Sequence, residues 1–154
     1  MTKRAQNADA DIGLNDMLCF AVYSANHAFN RVYRPLLNEL GLTYPQYLVM
    51  VLLWEADGQR VGDLGARLSL ESNTLTPLLK RLEALGHIGR VRDAADERQV
   101  RVTLTPQGAA LRDKARDIPR CILEASGLTL DDLVRLKTEI ATVRDALERH
   151  ASAQ

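Results

Sequence analysis

Aromatic residues are scarce in this chain, at 5% of its length, and only one of them is tryptophan. The core must therefore be built mainly from aliphatic side chains. Cysteine is rarer still: Cys19 and Cys121 lie far apart with no CxxC pair, which argues against a disulfide-stapled scaffold and a thiolate zinc site. His27, His87 and His150 are scattered, so no metal and no cofactor is assigned. Neither charge is in excess, because 20 basic and 20 acidic residues cancel and the isoelectric point is about 6.8. A protein that bound nucleic acid with its whole surface would be basic, so any such surface here must be local. No apolar run approaches the roughly 20 residues that span a bilayer, and the first residues show no hydrophobic leader, which leads us to expect a cytoplasmic protein.

What is present is 46% hydrophobic and 26% charged over 154 residues, the balance of a single globular domain with its own core. The stretch from Val61 to Gly108 is the most informative. Its spacing predicts a short helix ending near Leu68, then a second helix from a Ser72 or Asn73 cap to a stop at Gly86. Leu75, Leu78, Leu79, Leu82 and Leu85 make one apolar face of that second helix. The period then changes to two, through Ile88, Val91, Val100, Val102 and Leu104, around a polar tip from Asp93 to Gln99. Helix, turn, helix and charged hairpin is a shape that can read a DNA duplex. Between Lys80 and Arg101 six cations face four anions, a modest excess that a solvated mixed-charge surface would also show.

On either side the pattern is helical. A long helix from about Asp16 to Leu40 carries a stripe at Leu18, Val22, Ala25, Phe29, Val32, Leu36 and Leu40, with Pro35 expected to bend it or mark a break and Gly41 to end it. Thr43 and Gln46 form a capping box for the next helix, with Pro45 in its first turn and Leu42 and Tyr47 placed as a hydrophobic staple; it runs through Trp54 to a turn at Asp57 and Gly58. After the hairpin, Thr105 or Pro106 opens a helix bearing Leu111, Ala115, Ile118 and Ile122, which Pro119 must kink or interrupt. Thr129 with Asp132 caps a last helix, with Leu133, Leu136, Ile140, Val143 and Leu147 on one stripe. The end helices are more apolar than a small module needs, which favours a homodimer built from both ends of the chain; otherwise they cover one monomeric core. The fold class is thus mainly α with a small β-hairpin wing. We expect a flexible N-terminus over 1–15, a helical dimerisation region over 16–42 and 105–150, and a winged helix-turn-helix over 43–104.

The wing reads Asp96-x-Arg98, then five residues, then Leu104, Thr105 and Gly108, after a helix ending in Leu85, Gly86, His87 and Ile88. This pattern resembles the MarR family of winged helix-turn-helix repressors. Cys19, the run Tyr33 to Leu36 and the run Leu42 to Tyr47 look like the OhrR-type branch of that family, which senses organic hydroperoxides. The resemblance extends from about Asp16 to Leu147. It implies a homodimer on a pseudo-palindromic double-stranded operator, with no membrane and no enzymatic role.

A recognition helix presents its first turns to the major groove, which makes Ser72, Asn73, Thr74 and Thr76 candidates for hydrogen bonds to base edges and phosphates. Pro77 loses one helical N–H bond close to the helix start. Lys80 and Arg81, one turn on, suit phosphates. In the hairpin Arg98 suits a minor groove, read by width and potential; Arg90 is a further candidate, with one or two of Arg90, Arg92 and Arg101 expected to be plain surface charge. The family motif implies that Asp96 holds an arginine in a bidentate pair.

By residue type alone Cys19 reads as a small buried hydrophobe. If Asn15 or Asp16 caps its helix, however, it falls in the first turn, where free N–H groups and the helix dipole favour a thiolate. The resemblance makes Cys19 the redox sensor. It assigns Tyr33 and Tyr44, from the other subunit, as hydrogen-bond partners of the thiolate, with Tyr23 a weaker third; Phe20, Val22 and Trp54 would supply apolar surroundings suited to an organic peroxide. A sulfenic acid on Cys19 needs a second thiol to escape further oxidation, and Cys121 is the one other cysteine in the chain. The two-cysteine members of the branch form a disulfide there, with an inert buried thiol as the alternative reading of Cys121. Two other functions compete: a repressor of this family released by a small aromatic or anionic ligand, with inert cysteines, and a thiol peroxidase. The latter lacks a CxxC pair and a nearby arginine or histidine, and leaves the wing unexplained.

Overall fold

The computed structural model describes residues 12–154. The flexible terminus expected over 1–15 lies, for residues 1–11, outside the described residues; Leu14–Asp16 form a short 3-10 turn. Helix α1 spans Leu18–Asn38 and starts after Met17 with no side-chain cap, so neither Asn15 nor Asp16 is the cap. Pro35 sits inside α1 without dividing it. Gly41, at φ +68°, ends the segment, and the Leu42 N–H bonds back to the Leu37 carbonyl, the left-handed closure for which glycine is suited.

Helix α2 spans Tyr44–Glu55 behind the Thr43 and Gln46 capping box, in which the Thr43 N–H donates to Gln46 Oε1 at 2.9 Å. Strand β1 (Gln59–Arg60), helices α3 (Val61–Leu68) and α4 (Ser72–Ala84), and strands β2 (Ile88–Arg92) and β3 (Val100–Leu104) follow. The sheet has three antiparallel strands in the order β1-β3-β2, with Arg60 opposite Arg101 and Arg90 opposite Val102. The hairpin was expected, but β1 was not.

Helix α5 spans Pro106–Ala115, α6 spans Ile118–Ser126 and α7 spans Leu130–Ser152. The helix expected to run through Pro119 is interrupted beside it. The chain breaks before it, at Arg116 and Asp117, and Pro119 lies in the first turn of α6, where its missing N–H has no helical partner to lose.

The core lies where α2, α3, α4 and the sheet meet. Val49, Met50, Leu53, Leu64, Leu75, Leu79, Leu82, Ile88 and Val102 are buried there, joined by Leu37 from α1 and by Leu111 and Ala115 from α5. Each large aliphatic side chain removed from water contributes about 1.5–3 kcal/mol, so this aliphatic cluster carries the fold that the scarce aromatics could not. Leu85 does not join it and is exposed. The stripe expected to be buried on α1 is also exposed over most of its length. Leu18, Val22, Phe29 and Val32 face solvent in the single chain, as do Val134, Leu136, Ile140, Val143 and Leu147 on α7, a helix with no buried residue. A helix can hold such a stripe in water only by covering it with another surface.

Candidate nucleic-acid interface and thiol site

Helix α4 begins after Glu71 rather than at a Ser72 or Asn73 cap. Ser72, Asn73 and Thr74 are exposed in its first turn and Thr76 is half-buried one step on, while Leu75 and Leu79 of the same helix are buried. The apolar face thus presses the helix onto the core and turns its short polar face outward. Lys80 and Arg81 are exposed a turn later.

The joint between α4 and the wing is tightly built. Gly86, at φ +81°, ends α4, and the Thr105 hydroxyl donates to the Gly86 carbonyl at 2.6 Å while accepting the Gly108 N–H at 3.0 Å. A Cβ on Gly108 would overlap the His87 carbonyl, and the indole of Trp54 donates to the Gly108 carbonyl at 2.9 Å. The Leu104, Thr105 and Gly108 pattern is therefore the hinge pin of the wing: one threonine caps α5 and latches α4, and one glycine lets them touch. His87 itself is 6% exposed, its Nδ1 has no hydrogen-bond partner among the described residues, and burial pushes its pKa below the ordinary imidazole value.

In the wing, Arg98 is exposed at the loop tip. Asp96 holds no arginine in an ion pair among the described residues; its Oδ1 accepts the Arg98 backbone N–H at 3.1 Å, so it shapes the turn that carries Arg98. A different carboxylate takes the arginines. Asp93, 3% exposed, accepts from Arg101 Nε at 2.6 Å and from Arg60 Nε at 3.2 Å. Its pKa is lowered first by the Ala95 N–H, which outweighs the opposing effect of burial, and then by Arg101 and Arg60. Sequence reading missed Asp93 because Arg60 lies 33 positions away on a strand that has no apolar pattern. Arg90 pairs with Glu83 of α4 at 2.7 Å, so its charge is already partly committed, Arg101 is structural, and Arg92 is exposed.

Cys19 is exposed at the second position of α1, and Cys121 is half-buried on α6. Helix α1 packs against α6 and α2. Tyr33 and Tyr44 pack in a tilted pair with ring centroids 4.8 Å apart, and Tyr47 joins them 6.0 Å from Tyr33. Burial raises the pKa of all three, that of Tyr33 to about 12, with neighbouring tyrosines adding to the effect for Tyr33 and Tyr47. They are therefore hydrogen-bond donors over the whole physiological range. Cys19 and Tyr33 are 14 residues apart on one helix, a separation of about 21 Å at 1.5 Å per residue, so the chain does not bring its own thiol to its own tyrosine pair. Tyr23, one turn from Cys19, is exposed and packs edge-on against His27 at 4.4 Å. Within the chain Trp54 sits at the joint of α2 and α5.

A three-helix core with a latched β-wing, flanked by long helices with uncovered apolar stripes, is the architecture of winged-helix transcriptional regulators. Residues 31–115 match the model of the SarA/Rot transcriptional regulators. The chain is 51% identical to the HTH-type transcriptional regulator TtmR of Methylorubrum extorquens, over 91% of this chain and 72% of that protein. It is 44% identical to the organic hydroperoxide resistance transcriptional regulator of Bacillus subtilis, over 88% of this chain and 92% of the relative. Among solved structures, reduced AbfR bound to DNA matches with a TM-score of 0.73 at 36% identity, covering 87% of this chain and 93% of that one. The chain belongs to the MarR family of winged-helix transcriptional regulators, and its likeness to the Bacillus protein supports the OhrR-type branch.

Proposed function

We propose that this protein is a homodimeric, DNA-binding repressor that senses organic hydroperoxides through Cys19 and leaves its operator when Cys19 is oxidised. The observation that carries the reading is the separation of donor and thiol: Cys19 is exposed on α1, while the paired, protonated Tyr33 and Tyr44 lie too far along the same chain to serve it. A second copy, packed by the bare stripes of α1 and α7, would supply them. The dimer is built from 16–42 and 105–150, and 43–104 is the DNA-reading part. Ser72, Asn73, Thr74 and Thr76 enter the major groove, Lys80, Arg81 and Arg90 meet phosphates, and Arg98, aimed by Asp96, enters the minor groove.

The chemistry balances without a cofactor. The Cys19 thiolate attacks the O–O bond of a hydroperoxide. An S–O bond forms, the O–O bond breaks and the alcohol leaves, with sulfur oxidised by two electrons and the peroxide reduced. The Tyr33 and Tyr44 hydroxyls stabilise the thiolate. The Cys121 thiol then attacks the sulfenic acid, forming the disulfide and releasing water. Movement of α1 and α6 toward that bond alters the spacing of the two α4 helices, which must match half-sites about one helical turn apart. In a related protein, the disulfide form is the one whose chain shape this protein matches less well. AbfR has been solved on DNA both reduced and overoxidised, and this chain matches those with TM-scores of 0.73 and 0.71 but matches disulfide-formed AbfR with only 0.60.

The test is non-reducing electrophoresis alongside a gel shift on an operator duplex selected in vitro by the protein. Wild type treated with cumene hydroperoxide should run cross-linked and release DNA, and a thiol reductant should reverse both. A Cys121→Ser protein that still forms the same reversible cross-link sinks the resolving role. A second reading, release by a small aromatic anion with inert cysteines, has one observation behind it: a cleft of about 510 Å³ beside α2 and α5 is lined by Tyr47, Trp54, Arg112 and Arg116, although Glu55 and Asp113 also line it and Asp113 pairs with Arg116 at 2.8 Å. Release of wild type and Cys19→Ser alike by an aromatic carboxylate, without peroxide, would select it.

A further inference from the structure

The wing contains a buried carboxylate that none of the DNA contacts uses. Asp93 directly follows β2, where the strand ladder ends and the loop begins. Its backbone N–H donates to the Gln99 carbonyl at 2.8 Å, closing residues 94–98 into a loop. Its Oδ1 accepts the Ala95 N–H at 2.8 Å, which sets the first turn of that loop. Its Oδ2 takes Arg101 of β3 and Arg60 of β1, which stand opposite each other in the sheet. Arg101 also reaches the Gly58 carbonyl through Nη1 at 2.7 Å. One side chain therefore ties β1, β3 and the base of the loop together, and the loop it closes is the one that bears Arg98.

We propose that Asp93 is the positioning residue of the wing: it fixes the direction in which the loop carries Arg98 toward the minor groove. The proposal rests on the DNA-binding reading given above. Charge and position make opposite predictions here, which is what makes it testable. By charge alone, Asp93 is a nuisance, since it offsets the cations of a locally basic surface. Replacing it by a neutral residue would tighten binding and steepen the salt dependence by about 0.9 in log–log slope, one counterion. By position, the same replacement leaves Arg60 and Arg101 without their shared anion and frees the loop. Arg98 must then be ordered at the moment of binding, which costs affinity.

The experiment measures affinity by fluorescence anisotropy on a duplex that the wild-type protein has enriched from a randomised library. Wild type, Asp93→Asn, Arg98→Ala and the double variant are compared at several salt concentrations, with melting temperatures recorded for each. We expect Asp93→Asn to weaken binding about tenfold, a usual coupling between neighbours, with a salt slope no steeper than wild type. In the Arg98→Ala background the same change should alter affinity by less than about twofold, because the residue it positions is gone. A general structural role would instead cost the same factor in both backgrounds, and that result overturns the proposal, as does an Asp93→Asn protein that binds as tightly as wild type or tighter. If Asp93→Asn does not fold, Arg101→Lys provides the same cycle, since it keeps the charge but loses the fork that holds Asp93 and Gly58 together. A wild-type protein that enriches no duplex overturns the DNA-binding reading itself, and with it this proposal.

Discussion

Replacing Gly108 by alanine sets two principles against each other, and their magnitudes decide the sign. Gly108 is the third residue of α5. Helix propensity alone says that alanine should stabilise by at most about 1 kcal/mol. The packing says otherwise, because the new Cβ would overlap the His87 carbonyl. Relieving such an overlap by shifting a helix costs about 1–3 kcal/mol. The shift would also stretch the Trp54 indole bond to the Gly108 carbonyl and the Gly108 N–H bond to Thr105, each contributing about 1 kcal/mol. The net expectation is a destabilisation of roughly 2–4 kcal/mol once the propensity gain is set against these losses. For a chain of this size that corresponds to a melting temperature lower by about 5–15 °C. Calorimetry should be run at equal protomer concentration, since a dimer's stability depends on it. Trp54 is the only tryptophan, so its emission reports the broken bond directly. An alanine variant that melts at or above the wild-type temperature, with unchanged emission, would refute the account of the joint.

Alkaline titration followed by tyrosinate absorbance should show Tyr33 ionising last, near its raised value of about 12. Because the folded value is raised, its contribution to stability is complete below pH 10 and is lost as pH rises from 10 toward 12; a Tyr33→Phe protein should lack that alkaline loss. At the other end, the lowered value of His87 means its contribution is present above about pH 6.5 and is lost as pH falls below it. Melting temperature should therefore decline below pH 6.5 in wild type and less steeply in His87→Phe. Introducing a charge on the bare stripe of α7, as in Ile140→Asp, should shift the species seen by analytical ultracentrifugation from dimer to monomer; an unchanged dimer would place the interface elsewhere.

The helices around the core were legible because their signals are local: the Thr43 and Gln46 box, the glycine stop at Gly41 and the spacing of Leu75, Leu79 and Leu82 each act within a few residues. The wing hairpin was legible for the same reason. Strand β1 was not, since two polar residues, Gln59 and Arg60, become a strand only by pairing with Val102 and Arg101. The start of α1 was misplaced because Asn15 and Asp16 are good caps that the chain spends in a 3-10 turn. The break before Pro119 was foreseen only as a choice between kink and interruption; Gly127 and Thr129 then reset the chain for α7. The most instructive miss is Asp93. Acidic residues in a polar loop are normally solvated, and only the arrival of Arg60 and Arg101 from two other strands buries this one. The family resemblance implied the arginine-holding role for Asp96, which instead binds the loop backbone.

In the proposed mechanism one thiol controls the DNA end of the molecule. The most direct measurement is operator anisotropy as an organic hydroperoxide is added, in wild type and in Cys19→Ser. Wild type should be released as Cys19 is consumed and rebind after thiol reduction, while the serine protein binds equally well at the start and stays bound throughout. Release of Cys19→Ser at the same peroxide dose as wild type would contradict the mechanism.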